Sequence, residues 1–132
     1  MWNEKFPINR METVEQFARP SDFEPGGEYI EKPPHPDTVN DTYGFFCRRS
    51  TGGTSFSQHA YGRALDINPV QNPYVTATKV IPLNGSTNRS NPETGKIVAG
   101  SVPVVALRRA GFVWGGTWRS PKDYMHFSTS GR

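Results

Sequence analysis

A single cysteine, Cys47, occurs among the 132 residues, and one cysteine excludes a disulfide within the chain. The sequence also lacks any apolar run near the roughly 20 residues that cross a membrane, so we expect no membrane insertion. Runs of lysine and arginine are absent and the net charge is only +3, so nucleic acid is not an expected partner. No basic start followed by an apolar stretch is present, and therefore no signal peptide is visible.

Glycine and proline, in contrast, are abundant. The chain has 13 glycines and 12 prolines, whereas the two together make up roughly 12% of an average protein. Their abundance favours a loop-rich fold over a helical bundle, and 132 residues suffice for one domain with its own core. We therefore predict a single α+β domain over 1–132, with a small antiparallel sheet, few helices and long loops.

The pattern of apolar residues places the main elements. Strands are predicted at 43–48, 63–68, 112–114 and 124–128, with a short strand or irregular edge at 6–17. One helix is predicted at 102–110, capped by Ser101 and closed by Gly111. Two long loops, 21–42 and 69–100, contain many of the Pro, Gly and Asn pairs that form turns.

The most informative segment is 57–66, which reads S-Q-H-A-Y-G-R-A-L-D and sets His59 seven positions before Asp66. A second histidine, His126, lies sixty residues after Asp66 in the segment D-Y-M-H-F. Two imidazoles and one carboxylate make up the ligand set of a catalytic zinc site, whose fourth position stays open for water. We therefore predict one Zn²⁺ ion on His59, Asp66 and His126, with Asp123 as the general base.

Strand periodicity agrees with this ligand set. Along 63–68, Ala64, Asp66 and Asn68 share one face, which we expect to line a cleft, while Leu65 and Ile67 face the core. The small side chain of Ala64 leaves room beside Asp66.

The last predicted strand obeys the same rule. His126 shares a face with Ser128, while Met125 and Phe127 point to the core. Asp123 has the opposite parity to His126, so we expect it in the turn made by 120–122, from which it curls back over the metal.

Each of these residues also has an ordinary structural explanation. Taken singly, His59 fits a hydrogen-bonded structural histidine and Asp123 fits a turn cap, and only the joint pattern indicates a metal site. Ser57 either supports the site from beyond the metal ligands or caps a turn, and both interpretations remain open. Arg48, favoured over Arg49, is expected to add a positive charge for an oxyanion or a substrate carboxylate.

Aromatic residues near the motifs are the remaining candidates. Tyr61, Trp114 and Trp118 are candidates for the wall of the substrate cleft, although aromatic side chains more often belong to a core. Cys47 is expected to be a small buried residue, and a thiol hydrolase built on it is the rival chemistry. His35, between prolines in a loop, is expected at the surface.

The two segments that carry these residues resemble the zinc metallopeptidases that hydrolyse bacterial cell-wall peptides. This family includes D-alanyl-D-alanine carboxypeptidases, D-Ala-D-Ala dipeptidases and the L-alanyl-D-glutamate endopeptidases of phage endolysins. It shares its fold with the zinc domain of the hedgehog proteins. The likeness runs over 43–72 and 102–128, and the segment 6–8 with Met11 is similar to the family's early strand.

The resemblance implies a hedgehog/DD-peptidase-like fold. The residues that match the family's site are His59, Asp66 and His126 as metal ligands, Asp123 as the acid–base residue, Ser57 as the motif serine and Arg48 as an arginine of the transition-state pocket. Family members usually carry a helix before the Phe-Pro-Ile segment, and this chain begins almost at that segment. We therefore expect a domain without that helix.

The resemblance also implies the substrate class. Peptidoglycan stem peptides are the expected partner, for a monomer acting outside the cytoplasm at the cell wall. Carboxypeptidase and dipeptidase members commonly use Glu where this chain has Asp123, whereas L-alanyl-D-glutamate endopeptidases commonly use Asp, which favours an endopeptidase. The loop at 69–100 could close one end of the cleft, as suits a D-alanyl-D-alanine carboxypeptidase. The alternative of another class is a non-catalytic zinc module that binds the cell wall, which would not need Asp123.

Overall fold

The computed structural model describes residues 5–12, 35–50, 53–91 and 93–132. In these ranges one α-helix and six short strands are present, which is compatible with an α+β architecture. In chain order they are β1 (Ala64–Asp66), β2 (Tyr74–Val75), β3 (Val80–Ile81), α1 (Val102–Arg109), β4 (Val113–Trp114), β5 (Lys122–Asp123) and β6 (His126–Ser128). No helix among the described residues has the length and apolar character that a membrane crossing requires.

The first sheet joins the two predicted site motifs. Its strand order is β1-β6-β4, and both pairings are antiparallel. Asp66 lies directly opposite His126, and Leu65 lies opposite Phe127. Residues directly opposed in an antiparallel pair project from the same face. Two residues sixty positions apart in the sequence are thereby held side by side.

The second sheet was not predicted. Its order is β3-β2-β5, with Tyr74 of β2 opposite both Ile81 of β3 and Asp123 of β5. The expectation of one sheet, and of a strand-free loop over 69–100, was therefore wrong. Strands of two residues are too short to produce the alternation by which a strand is predicted from sequence. Asp123 accordingly lies in a strand and not in the expected turn.

The hydrophobic core lies between the first sheet and the helix. It consists of the buried side chains Ile67, Ile97, Leu107, Trp114 and Phe127. Leu107 comes from α1, whose predicted range was correct to one residue. Removing side chains of this size from water stabilises a fold by about 1.5–3 kcal/mol each. The core thus fixes β4 and β6 against α1.

The ends of α1 differ from the prediction in one detail. Gly111 has a φ of +87° directly after the helix, the left-handed conformation that favours glycine, as predicted. Ser101 stands at the N-cap position, but its side chain makes no capping hydrogen bond. The carbonyl of Ser101 accepts the first hydrogen bond of the helix, from the backbone N–H of Val105, at 3.1 Å.

Two further strand predictions need correction. The segment 43–48 forms no strand, since only Tyr43 pairs, through an isolated bridge to Asp66. The strand predicted at 63–68 ends at Asp66, because Asn68 adopts a left-handed φ of +46°. The Asn68 amide donates to the carbonyl of Pro7 at 2.8 Å, so it does not line a cleft with Asp66.

The segment 69–100 is fixed to the core by polar contacts. Arg89 donates to the carbonyl of Ile97 at 2.7 Å and to the side chain of Asn72 at 2.9 Å, and its guanidinium lies 4.5 Å from the ring centre of Tyr124. These contacts join 89–97 to Asn72, just before β2, and to Tyr124, directly after β5. The predictions for 13–17 and 21–34, and the first half of the turn predicted at 51–54, lie outside the described residues.

Candidate active site

The three predicted metal ligands meet in a closed triangle. The Nε2 atom of His59 lies 3.2 Å from a carboxylate oxygen of Asp66 and 3.3 Å from Nδ1 of His126. Nδ1 of His126 lies 2.9 Å from the other carboxylate oxygen of Asp66. All three side chains are buried. Among the described residues, these three form the one group of histidine and acidic side chains that could hold a metal ion.

The size of this triangle fits zinc. Donor atoms bound about 2.0–2.1 Å from a tetrahedral zinc ion lie about 3.3 Å from one another. The separation of 3.3 Å between His59 and His126 matches that edge length, and each of the two nitrogens lies 2.9 to 3.2 Å from one of the two carboxylate oxygens of Asp66. Two nitrogens and one carboxylate also leave a tetrahedral ion one position for water. The donor set and its spacing therefore suit a catalytic zinc ion.

A short 3₁₀ turn, Gln58–Tyr61, positions His59. The hydroxyl of Ser57 accepts a hydrogen bond from the backbone N–H of His59 at 3.3 Å and so caps this turn. Nδ1 of His59 is 2.8 Å from the carbonyl of Gly44, which can only accept, so Nδ1 carries the proton. Nε2 is therefore left with a lone pair that points into the triangle, as a metal ligand requires.

The electrostatics of the triangle suit a cation. Burial alone would raise the pKa of Asp66, but the electrostatic interactions and hydrogen bonds of its carboxylate with the imidazoles of His59 and His126 hold this pKa well below its usual range. Burial lowers the pKa of His126, but its hydrogen bond and attraction to Asp66 outweigh this, so the pKa is raised. The carboxylate is thus kept ionised and ready to bind a positive charge.

Asp123 lines the same cavity in a different environment. Its side chain faces the cavity near the triangle, and its Oδ1 atom is buried with no hydrogen-bond partner among the described residues. Burial, and then repulsion from Asp66, raise the pKa of Asp123 to about 8. A carboxyl group without a fixed partner is available to exchange a proton with a substrate.

Arg48 reaches the cavity and Arg49 does not. The guanidinium of Arg48 is partly buried in the cavity wall, and burial alone would lower its pKa. Tyr43 and the carboxyl groups of Asp66 and Asp37 outweigh burial and raise the pKa, so the group stays positive. Arg49 is exposed, and its guanidinium lies 5.4 Å from the ring centre of Phe56.

The structure separates the three candidate aromatics. Trp118 lines the cavity, with its ring centre 5.5 Å from that of His126. Trp114 lies in the core, stacked on Phe127, and does not contribute to the described wall of the cavity. Tyr61 is 58% exposed at the end of its turn and also lies outside that wall.

Cys47 and His35 differ from expectation. Cys47 is a free thiol that is only partly buried, and it is not among the described residues that line the cavity. A thiol hydrolase built on Cys47 therefore has no support in this arrangement. His35 is partly buried and not at the surface, because its ring packs 5.3 Å from that of Phe46.

Asp37 and Tyr74 are two of the cavity residues that sequence reasoning missed. The hydroxyl of Tyr43 donates to the buried carboxyl of Asp37 at 3.0 Å, and burial raises the pKa of Asp37. Asp37 lies in a segment predicted as a loop, where no periodicity points to a buried face. Tyr74 lies in the unpredicted second sheet. A prediction that β2 pairs with β5 would have placed Tyr74 beside Asp123.

The complete cavity has a volume of about 420 Å³. Its described wall combines the site residues with side chains from both sheets and their loops: Asp37, Arg48, Ser50, Ser55, Phe56, Ser57, Gln58, His59, Asp66, Tyr74, Ile81, Trp118, Pro121, Asp123, Met125, His126 and Arg132. This volume lies in the range typical of small-molecule and peptide pockets.

A sequence profile of one protein family matches this chain. The D-alanyl-D-alanine carboxypeptidase family, peptidase family M15, matches residues 51–129, which is more than half of the chain. The chain belongs to this family of zinc metallopeptidases. The matched range contains the metal triangle and Asp123, whereas Arg48 lies before it. No curated protein and no solved structure matches the chain.

Proposed function

We propose that this chain hydrolyses amide bonds in the stem peptides of bacterial peptidoglycan with the help of one zinc ion. The observation that carries the proposal is the buried triangle of His59, Asp66 and His126, which shares its cavity with Asp123, whose Oδ1 atom has no hydrogen-bond partner among the described residues. The zinc peptidase family to which the chain belongs supports the same chemistry.

The chain's own residues have distinct roles in this reaction. When bound, zinc supplies a Lewis acid for the scissile carbonyl and lowers the pKa of a water molecule. Asp123 accepts a proton as the carbonyl carbon is attacked and passes it to the leaving amine. Its pKa of about 8 refers to the protein alone, and a nearby cation lowers the pKa of a carboxyl group. Asp123 would then be ionised at neutral pH, as a base must be.

Positive charge and an aromatic ring complete the proposed site. Arg48 is the cationic group that we assign to the oxyanion or to a substrate carboxylate, because its charge faces the same cavity. Ser57 holds the turn that carries His59. Trp118, which packs against His126, is proposed to line the substrate path.

Two bonds of the stem peptide are candidates for cleavage. We favour the bond between L-Ala and D-Glu, because the proposed base is Asp123 and not a longer glutamate. A D-alanyl-D-alanine carboxypeptidase is the second candidate, and two observations favour it. The family that matches carries that description, and the hairpin of β2 and β3 adds Tyr74 and Ile81 to one side of the cavity.

A binding module without activity is the candidate of another class. It fits the zinc triangle but not Asp123, because a buried carboxyl group without a partner destabilises a fold. We further propose a hedgehog/DD-peptidase-like fold for the single domain 1–132, a monomeric state and action outside the cytoplasm at the cell wall.

Mass spectrometry of purified muropeptides, incubated with the protein with and without a zinc chelator, tests the proposal. Chelator-sensitive cleavage between L-Ala and D-Glu would support the endopeptidase. Chelator-sensitive loss of a terminal D-Ala would support the carboxypeptidase. Intact muropeptides after incubation with protein that holds one zinc ion would contradict both and favour the binding module.

A further inference from the structure

Three side chains of the second sheet form one wall of the cavity. Tyr74 lies opposite Ile81 on one side and opposite Asp123 on the other. Directly opposed residues in antiparallel strands project from the same face, and all three side chains line the cavity. This set, Ile81, Tyr74 and Asp123, is called the wall row below.

The spacing of the wall row relates it to a bound peptide. Neighbouring strands lie about 4.8 Å apart, so Tyr74 stands about 5 Å from Asp123 and Ile81 about 10 Å from it. One residue of an extended peptide spans roughly 3.5 Å. In the proposed reaction Asp123 gives its proton to the leaving amine, so it faces that amine. The residue that bears the amine therefore lies beside Tyr74.

We infer that Tyr74 selects the leaving residue of the substrate, with its hydroxyl donating a hydrogen bond to a carboxylate on that residue. Ile81, next in the wall row, packs against the apolar part of the same residue or its successor. Tyr74 is thus a specificity-determining residue on the leaving side of the cleaved bond. This inference rests on the proposed function, because it takes the direction of the substrate from the proton transfer by Asp123.

The chemistry of Tyr74 suits this role. Burial and the nearby carboxyl group of Asp123 raise the pKa of Tyr74, so its hydroxyl keeps the proton that it would donate. Arg48 adds a positive charge to the same cavity, which favours an anionic ligand. Both leaving residues under consideration carry a carboxylate: the terminal D-Ala of a carboxypeptidase substrate, and the D-Glu of an endopeptidase substrate.

The test uses peptides that differ only in this carboxylate. For each candidate bond, one synthetic stem peptide bears a free carboxylate on the leaving residue and its twin bears a carboxamide. Tyr74→Phe should lower kcat/KM for the acid peptide by about 10-fold or more, because a hydrogen bond to a charged group is lost. The amide twin should be cleaved by Tyr74→Phe as fast as by the wild type. Which bond is cut identifies the carboxylate as that of D-Ala or of D-Glu.

Two further variants complete the design. Ile81→Ala should raise KM for both twins, because it removes apolar contact without touching the carboxylate. Phe45→Ala is the control, since Phe45 is 57% exposed and lies outside the described cavity wall. Phe45→Ala should leave kcat/KM unchanged for the acid peptide and for its amide twin. Zinc content and Tm of Tyr74→Phe should equal those of the wild type.

The outcomes separate the inference from the proposed function. The inference is overturned, and the proposed function stands, if the wild type cleaves an acid peptide and Tyr74→Phe cleaves it with the same kcat/KM. The same holds if the kcat/KM of Tyr74→Phe falls equally for the acid peptide and its amide twin. A Tyr74→Phe protein that loses zinc or stability would overturn it too, because the role would then be structural. If the wild type cleaves neither acid peptide, the proposed function fails and the inference fails with it.

Discussion

The pKa values of two aspartates in one cavity are shifted in opposite directions. The pKa of Asp66 is held well below its usual range despite burial, because two histidines contact its carboxylate. The pKa of Asp123 is raised to about 8 by burial and by repulsion from Asp66, and its Oδ1 atom has no hydrogen-bond partner in the described part of the chain. Such divergence is typical of sites in which one carboxyl group binds and another transfers protons. It is the residue-scale basis for assigning the two roles.

The role of Asp123 predicts a specific kinetic defect. Asp123→Asn keeps the size of the side chain but cannot accept a proton. We expect kcat to fall by about 10²- to 10⁴-fold, the usual contribution of general acid–base catalysis. Metal analysis should still find one zinc ion per chain. Wild-type turnover by a folded, zinc-loaded Asp123→Asn protein would contradict the assignment.

The same substitution should change how stability depends on pH. In the folded chain Asp123 keeps its proton up to about pH 8, whereas its ordinary pKa is 3.8. The stability associated with the protonated group is therefore fully present below pH 3.8 and is lost as the pH rises towards 8.

In the absence of metal, Asp123→Asn should thus be more stable than the wild type at pH 8, by on the order of a few kcal/mol. The difference should shrink towards pH 4. Urea unfolding of both chelator-treated proteins across this range measures it. Parallel pH profiles for the two proteins would show that Asp123 is not the group responsible.

The residues whose spacing carries chemistry lie together in the structure, and their roles as ligands and base stay predictions. His59, Asp66 and His126 were identified from ligand type and strand parity, and the structure brings them together. Tyr61 and Trp114 were candidates only because they are aromatic and near a motif, and the structure places both outside the described cavity wall. Nothing in the spacing of an isolated aromatic distinguishes a core position from a cleft position.

At the scale of elements, strand pairing brings the site residues together. The β1–β6 pair sets Asp66 beside His126, and the β2–β5 pair carries Asp123 to the same cavity. A 3₁₀ turn, Gly115–Thr117, packs against β5. A Cβ atom at Gly115 would lie 2.5 Å from the carbonyl oxygen of Asp123 and 2.9 Å from its Cβ. Asp123, the proposed base, is therefore held by an approach that only glycine permits.

Gly115→Ala should displace β5. We expect a loss of about 1–3 kcal/mol in the free energy of unfolding, as for other overpacked sites, and a larger effect on kcat than on KM. Gly100→Ala is the matched control, because its Cβ would meet open space and only the left-handed φ of +80° is unfavourable. It should cost stability without changing kcat. Equal kinetics for the two variants would contradict a positioning role for Gly115.

Length alone does not decide which elements could be predicted. The eight residues of α1 were placed from sequence with an error of one residue. Strands β2, β3 and β5 have two residues each and were missed, whereas β4, equally short, lies within the predicted segment 112–114. The pairing of β2, β3 and β5 depends on the path of 69–100, which Arg89 fixes through contacts that are distant in the sequence.

At the scale of the whole molecule, zinc binding and folding should be coupled. The triangle forms only when β1, β6 and the turn at Gln58–Tyr61 are in place, so zinc should bind the folded chain preferentially. A free zinc concentration of about 100 times Kd should stabilise the fold by about 2.7 kcal/mol, a shift of roughly 10 °C in Tm.

Thermal scans of the chelator-treated protein with and without added zinc measure this shift. His59→Ala should abolish it, because one of three ligands is lost. Cys47→Ser should retain it, since Cys47 lies outside the described cavity wall. A shift that persists in His59→Ala would place the zinc elsewhere.

The most direct test of the account is a zinc titration of chelator-treated protein, with muropeptide hydrolysis as the readout. Hydrolysis should be absent without zinc, rise in proportion to added zinc and reach its plateau at one equivalent per chain, because one triangle of His59, Asp66 and His126 holds one ion. Full hydrolysis before any zinc is added would contradict the central claim that this triangle is a catalytic zinc site.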